Sequence, residues 1–517
     1  MNRRDLVRWL GLGAVTHAAR RTLFAHADTA HFGAASRSAS PSFDPDVELS
    51  LSAAPGEASI LPGAATRVWR FTGSVLRGPP DSLQAVPDSY LGPTIRLRRG
   101  QRVRIRFTNQ LPGSTIVHWH GLDVPALMDG HPRLAIAAGD EYVYEFEVSN
   151  RAGTYWYHPH PDLRTGPQVY QGLAGLLVVS HDEESALRLP SGEAELVCIL
   201  QDRQFDAQNQ LMYLGGGMMD QMQGFLGDQM LVNGKLRPTM SLATRAYRIR
   251  LLNGSNARIY KLRWSDGTPM TVIGGDGGLL EQPVRQRYLT LAPAQRADVI
   301  LDLSTHAVGA TLALETAAYA ASEVSMSAAG MGGMMRPSAV PNGTARSLMT
   351  LDVARRERAP WVLPTRLSTF DAAWDRPADG PMRRITLEFR QMQWLLGGRT
   401  FGMLDVAEEE TVPAGSTRIW ELANVGGMMG MSMAHPIHIH GRQFRVLSRQ
   451  RANGAVPPPG SVREGLIDAG WRDTVLVLPG DTVRLQMHFT EHPGLYLYHC
   501  HILEHEDAGM MRNFKVV

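Results

Sequence analysis

The chain is predicted to be an all-β protein built from three consecutive β units, and three observations carry that prediction. Short segments that alternate apolar and polar residues recur along the 517 residues, separated by turns. Glycine (51) and proline (32) are plentiful and mark the breaks between segments. A histidine pattern near residues 118–160 returns near residues 438–501, which is the mark of an internal repeat. At about 150 residues per domain, this length calls for roughly three cores.

Composition narrows the function classes. Charged residues make up 20% of the chain, hydrophobic ones 44%, and the net charge is +2. That balance supplies neither a nucleic-acid-binding surface nor a strongly anion-seeking one. Only two cysteines occur. Cys198 lies in the apolar run Glu195–Leu200 and reads as a small buried side chain. Cys500 stands between two histidines, a poor place for a structural disulfide.

Taken in order, residues 1–27 read as an export signal. Arg3-Arg4 precede the modestly apolar stretch Leu6 to Val15, and Ala25-His26-Ala27 offers a small-x-small cleavage site. The arginine pair resembles a twin-arginine signal, which would export the chain already folded to the periplasm or another extracytoplasmic space. The apolar stretch is far shorter than a membrane span. Residues 28–44 are small and polar and are expected to be a flexible leader. A first β unit follows over residues 45–182, with Leu97–Phe107 alternating apolar and basic side chains around Gly100. A second occupies residues 193–353, contains the single histidine His306 and is expected to carry no metal ligand. The third covers residues 360–517, after a connector with Pro360 and Pro364.

Histidine spacing carries the chemistry. Four H-x-H pairs occur: His118/His120, His158/His160, His438/His440 and His499/His501. Eighteen histidines placed at random would give roughly one such pair. On a strand, each pair sets two imidazoles on one face about 7 Å apart, able to serve neighbouring metals. The central Cys500 then faces the other way from His499 and His501. Thiolate, two imidazoles and a weak axial methionine form the ligand set of a blue-copper electron-transfer site. Cys500, His505 and Met510 supply three of these, and His435 completes the set by parity, because it faces away from His438 and His440. Imidazole and thiolate suit copper better than hard-oxygen metals. Closed four-coordinate zinc sites fit eight thiolate-free histidines poorly.

The motifs H-x-H-G, H-x-H, H-x-x-H-x-H and H-C-H-x-x-x-H-x-x-x-x-M resemble the four copper motifs of the multicopper oxidases over residues 60–517, nearest to bacterial laccases and periplasmic copper-efflux oxidases. The resemblance implies three cupredoxin-like Greek-key domains and four copper ions. His435, Cys500, His505 and Met510 would hold the type 1 ion, and His118 and His438 the type 2 ion. His120, His158 and His501 would hold one type 3 ion, and His160, His440 and His499 the other. Electrons would pass from a reductant through Cys500 and its neighbours to a trinuclear cluster, where dioxygen becomes water. Asp129 and Glu506 match acidic positions that deliver protons in similar oxidases.

The reductant is less sharply indicated. Methionine is abundant (24), and Met428, Met429, Met431 and Met433 crowd the approach to His435. Thioethers prefer Cu(I), so these four are candidate substrate contacts. Others stand at Met218, Met219, Met222, Met331, Met334 and Met335. The expected activity is oxidation of Cu(I) and of phenolic or aromatic-amine reductants by a monomer serving copper tolerance. The alternatives are a laccase acting on phenols alone and a non-enzymatic copper-binding or scaffold protein.

Overall fold

The computed structural model describes residues 36–325, 340–370, 376–426, 432–451, 454, 456–489 and 492–517. The expected export signal (residues 1–27), residues 28–35, Met331, Met334, Met335, Met428, Met429 and Met431 lie outside the described residues.

Six sheets arise in three pairs along the chain. The first pair joins a four-stranded sheet containing Val47–Ala58, Arg102–Asn109 and Glu141–Glu147 to a five-stranded sheet containing Thr94–Arg98, Gly153–Pro159 and Val117–His120. The middle pair has seven and five strands, and the third six and five. Each pair encloses its own core, because alternate side chains of facing strands point inward. Val47, Leu49 and Leu51 meet Ile95, Leu177 and Tyr155 in the first. Leu251, Val299 and Leu351 lie in the second, and Trp420, Leu485 and Phe514 in the third. Sequence-distant strands lie side by side, as where Val47–Ala58 runs parallel to Arg102–Asn109. Such crossing connections belong to Greek-key sandwiches.

The alternating segment around Gly100 forms two strands, Thr94–Arg98 and Arg102–Asn109, which join different sheets. Gly100 has φ +88°, a conformation glycine adopts without a Cβ penalty. The strand Val47–Ala58 escapes prediction because its second half is Ala, Pro, Gly and Glu, weak strand formers. The flexible leader also needs correction. Residues 36–44 are held by a charge network in which Arg37 and Arg104 both reach the buried Glu145 carboxylate. Ser40 N donates to the same group at 3.0 Å, and Val143 N donates to the Arg37 carbonyl.

Smaller apolar clusters join successive units. Val68, Tyr90 and Trp156 pack with Ile199, Leu231 and Leu252. Tyr319 and Ala292 pack with Val462, Leu476 and Leu478. The first and third units also meet directly, where Tyr496 Oη donates to the Val124 carbonyl at 3.0 Å and Arg442 pairs with Asp123. This junction brings the two histidine-bearing sheets together. Among the described residues, no helix is long and apolar enough to cross a membrane.

Candidate metal centre

The two halves of the repeat are built alike. Val117–His120 pairs antiparallel with Gly153–Pro159, setting His118 opposite His158. His435–Ile439 pairs antiparallel with Gly494–Cys500, setting His438 opposite His499 and Ile437 opposite Cys500. The halves then interleave: the His120 ring stacks on His438 at 3.6 Å, and His118 on His440 at 3.8 Å between centroids. All ten histidines, Cys500 and Met510 are buried.

Six of the eight cluster imidazoles have an orientation set by a hydrogen bond. The Nδ1–H of His118 donates to the Asp129 carbonyl at 2.6 Å, and that of His438 to the Asp473 carbonyl at 2.8 Å. His158 and His499 donate from Nδ1 to the carbonyls of Pro159 and Cys500. His440 Nδ1 donates to Asp129 Oδ2 at 2.7 Å. In these five rings Nε2 is therefore the nitrogen left for a ligand contact. His120 is reversed, with Nε2 bonded to Asp473 Oδ1 at 3.0 Å and Nδ1 buried without a partner. His158 Nε2 and both nitrogens of His501 are likewise buried and unpartnered. Burying several bare polar atoms together is costly, and a bound cation removes that cost.

Spacing tests the fit. Two nitrogens each about 2.0 Å from one ion, at a near-tetrahedral angle, lie about 3.3 Å apart. His118 and His438 face each other through Nε2 at 3.2 Å, His440 and His499 at 3.1 Å, and His160 and His499 at 3.4 Å. A nitrogen and a sulfur sharing an ion fall about 3.5 Å apart on the same reasoning. Cys500 Sγ stands 3.5 Å from His435 Nδ1 and 3.6 Å from His505 Nδ1. The residues therefore fit metals well, with nitrogen donors in one group and nitrogen plus sulfur in the other.

The sulfur site is closed by a short loop. Met510 N donates to the His505 carbonyl at 2.8 Å and the Met510 carbonyl accepts from Cys500 N at 3.0 Å, so Met510 is brought back beside Cys500 in the third core. His505 Nε2 donates to the carbonyl of Met222 at 3.1 Å, on the short helix Met218–Gln223. The Trp394 ring packs on both His505 and His435. Sequence reasoning missed Trp394, Asp473, Thr474 and the Met222 carbonyl, which belong to no motif. Met433, expected to face a substrate, is instead buried in the third core, where its carbonyl accepts from Asn424.

Both acidic candidates sit at the histidines. Asp129 Oδ1 is buried without a partner, and burial pushes this carboxyl well above the usual range despite Arg442. Glu506 lies 3.1 Å from His499 Nδ1 and 3.4 Å from His160 Nε2. Burial pushes Glu506 up, but the facing His499 and His160 outweigh it and hold the carboxyl at about 2.

Burial also depresses the imidazoles: to about 3 for His158 and His505 and about 4 for His160, with His118 and His438 well below their ordinary value. The unfolded chain takes up protons below about pH 6.5, while these folded rings do not. The metal-free protein is therefore expected to keep full stability above that pH and to lose it as the pH falls toward 4. The slope is about 1.4 kcal/mol per pH unit for each such histidine. Urea midpoints of the metal-free protein at pH 7.5 and pH 5.5 measure this, and equal midpoints would contradict it.

Comparison with known proteins agrees with this geometry. The sequence matches multicopper oxidase families over residues 68–184, 206–311 and 376–517. A protein named multicopper oxidase mco from Staphylococcus haemolyticus is 32% identical over 430 residues, covering 83% of this chain and 82% of that protein. A laccase from Bacillus stratosphericus is 30% identical over 494 residues, covering 85% and 91% respectively. The crystal structure of the McoA multicopper oxidase from Aquifex aeolicus superimposes with a TM-score of 0.74 at 32% identity, covering 92% of this chain and 97% of that one. Sequence, fold and inward-turned imidazoles agree, and the chain belongs to the multicopper oxidases, laccase-like oxidoreductases that use dioxygen as acceptor.

Proposed function

We propose that the protein is exported to the periplasm or a comparable compartment. There it couples one-electron oxidation of Cu(I), and of phenolic or aromatic-amine reductants, to the reduction of dioxygen, in the service of copper tolerance. Four one-electron donors, four protons and one O2 give two water molecules. The residues that would hold resident copper are His435, Cys500, His505 and Met510 for one ion and His118 with His438 for a second. His120, His158 and His501 would hold a third, and His160, His440 and His499 a fourth. Bound there, copper supplies the one-electron redox chemistry and the reduction of dioxygen.

The observation that carries this reading is the chain path itself. Cys500 points into the sulfur site while His499 and His501, one residue away on either side, point into the nitrogen cluster. The two sites are thus joined by a few covalent bonds. The protein's own groups would do the rest. Backbone carbonyls keep the rings turned inward, Asp129 holds a proton beside His440 and His118, and Glu506 receives protons beside His499 and His160. Burial of every ligand keeps bulk water away from the cluster.

Support for Cu(I) comes from the helix Met218–Gln223, whose Met222 carbonyl touches His505 and whose Met218 side chain is 65% exposed. A thioether there is placed to take a soft cation from solvent near the electron-accepting imidazole. Changing Met218, Met219, Met428, Met429 and Met431 to serine is expected to cut Cu(I) oxidation about tenfold or more while a phenol is still oxidised. Oxygen uptake by the copper-loaded protein reads both. Equal retention of the two activities would favour phenols as the true reductants, and no uptake with either would leave a binding protein.

A further inference from the structure

The middle unit holds none of the candidate ligands, yet one of its side chains reaches the cluster. Arg296 begins the strand Arg296–Asp302 and is fully buried. All five of its guanidinium N–H bonds are used. Nε donates to the Thr154 carbonyl at 3.1 Å, on the strand that carries His158. One terminal nitrogen donates to the Ala294 carbonyl and to Asp473 Oδ1 at 2.8 Å. The other donates to the Asp276 carbonyl and to Asp473 Oδ2. A planar fork with both carboxylate oxygens in its grip is the strongest and most directional pairing arginine makes.

Asp473 is otherwise well placed to bind metal itself. Its carboxylate lies with His120 and His438 in a group whose ligand atoms fall within 4.8 Å of one another. His120 Nε2 also meets this carboxylate at 3.0 Å, with Thr474 Oγ1 at 3.2 Å as a second neighbour. A second observation points to the same device. Gly121 follows His120 at φ +88°, and a Cβ there would lie 2.4 Å from Asp473 Oδ2 and 2.9 Å from Arg296. The glycine of H-x-H-G thus leaves room for this ion pair.

We propose that Arg296 is a positioning residue for the copper cluster. By holding both oxygens of Asp473 it makes that carboxylate the acceptor for His120 Nε2–H rather than a metal ligand, so that His120 presents Nδ1. The inference rests on the copper assignment proposed above and extends it to the middle unit. Without the fork, Asp473 keeps only the Thr474 hydroxyl as a further donor and is an anion beside two imidazoles, free to bind the ion and to turn His120 out of place.

The test is copper retention against a chelator, followed with the blue absorption and electron paramagnetic resonance of the loaded protein. Arg296→Met is expected to release cluster copper about 10- to 100-fold more readily, with the blue absorption unchanged. Adding Asp473→Asn to it should recover most of the retention, because an amide carbonyl still accepts from His120 and carries no charge to compete for metal. Unchanged retention in Arg296→Met overturns the proposal. So does a loss that the double variant does not recover, since that is the behaviour of a merely structural residue. If Arg296→Met does not fold, Arg296→Lys takes its place; it keeps the charge without the fork and should show a smaller loss of the same kind, and no loss counts against the proposal. Wild-type protein that holds no cluster copper would sink the copper assignment instead, so the two failures are told apart.

Discussion

Copper-loaded Cys500→Ser protein is expected to be colourless and to consume oxygen at least about a thousandfold more slowly, a loss of about 4 kcal/mol in transition-state terms. The sulfur is fully buried and flanked by His435 and His505 at 3.5 and 3.6 Å. A serine hydroxyl in the same place is a harder, more basic donor that does not replace a thiolate for copper. His499 and His501 point to the opposite side of the strand, so the nitrogen cluster should keep its metal. Copper counting, absorbance at the blue band and oxygen uptake on one sample separate these effects. A blue variant, or one with full activity, would refute the assignment of Cys500.

The second large effect is expected at Asp129. Asparagine keeps an oxygen to accept from His440 Nδ1, and the backbone carbonyl that orients His118 is untouched. What is lost is a carboxyl able to hold and release a proton, one whose proton affinity burial raises well above the usual range. Dioxygen reduction should slow by about a hundredfold or more, the range general acid catalysis commonly supplies. Anaerobic bleaching of the blue centre by a reductant should proceed at the wild-type rate. Glu506→Gln is expected to slow the same step, since its carboxylate faces His499 and His160 and is proposed to receive protons there. Wild-type turnover in Asp129→Asn would remove that residue from proton delivery.

Much of the site was readable because strands impose a period of two. The H-x-H spacing alone sets His118 with His120, and His499 with His501, on shared faces. The same parity separates Cys500 from its two neighbours and pairs it with His435, as the 3.5 Å contact shows. Strand limits were less legible. Val47–Ala58 is held by its neighbours on both sides rather than by its own composition, and residues 36–44 are ordered by Glu145, more than a hundred positions away.

What the sequence determined by itself, then, is the all-β class, the repeat between first and third units and the identity of the inward-facing donors, because these follow from local spacing and donor chemistry. Only the tertiary structure decided which nitrogen each imidazole offers, that Met433 is core, and that the Met222 carbonyl and Trp394 border the sulfur site. It alone brought Arg296 of the middle unit to Asp473. The physical reason is that ring orientation and second contacts depend on single atoms delivered by segments far apart in the chain. A Nδ1–H finds its carbonyl, or a guanidinium its carboxylate, only once separate sheets have packed together.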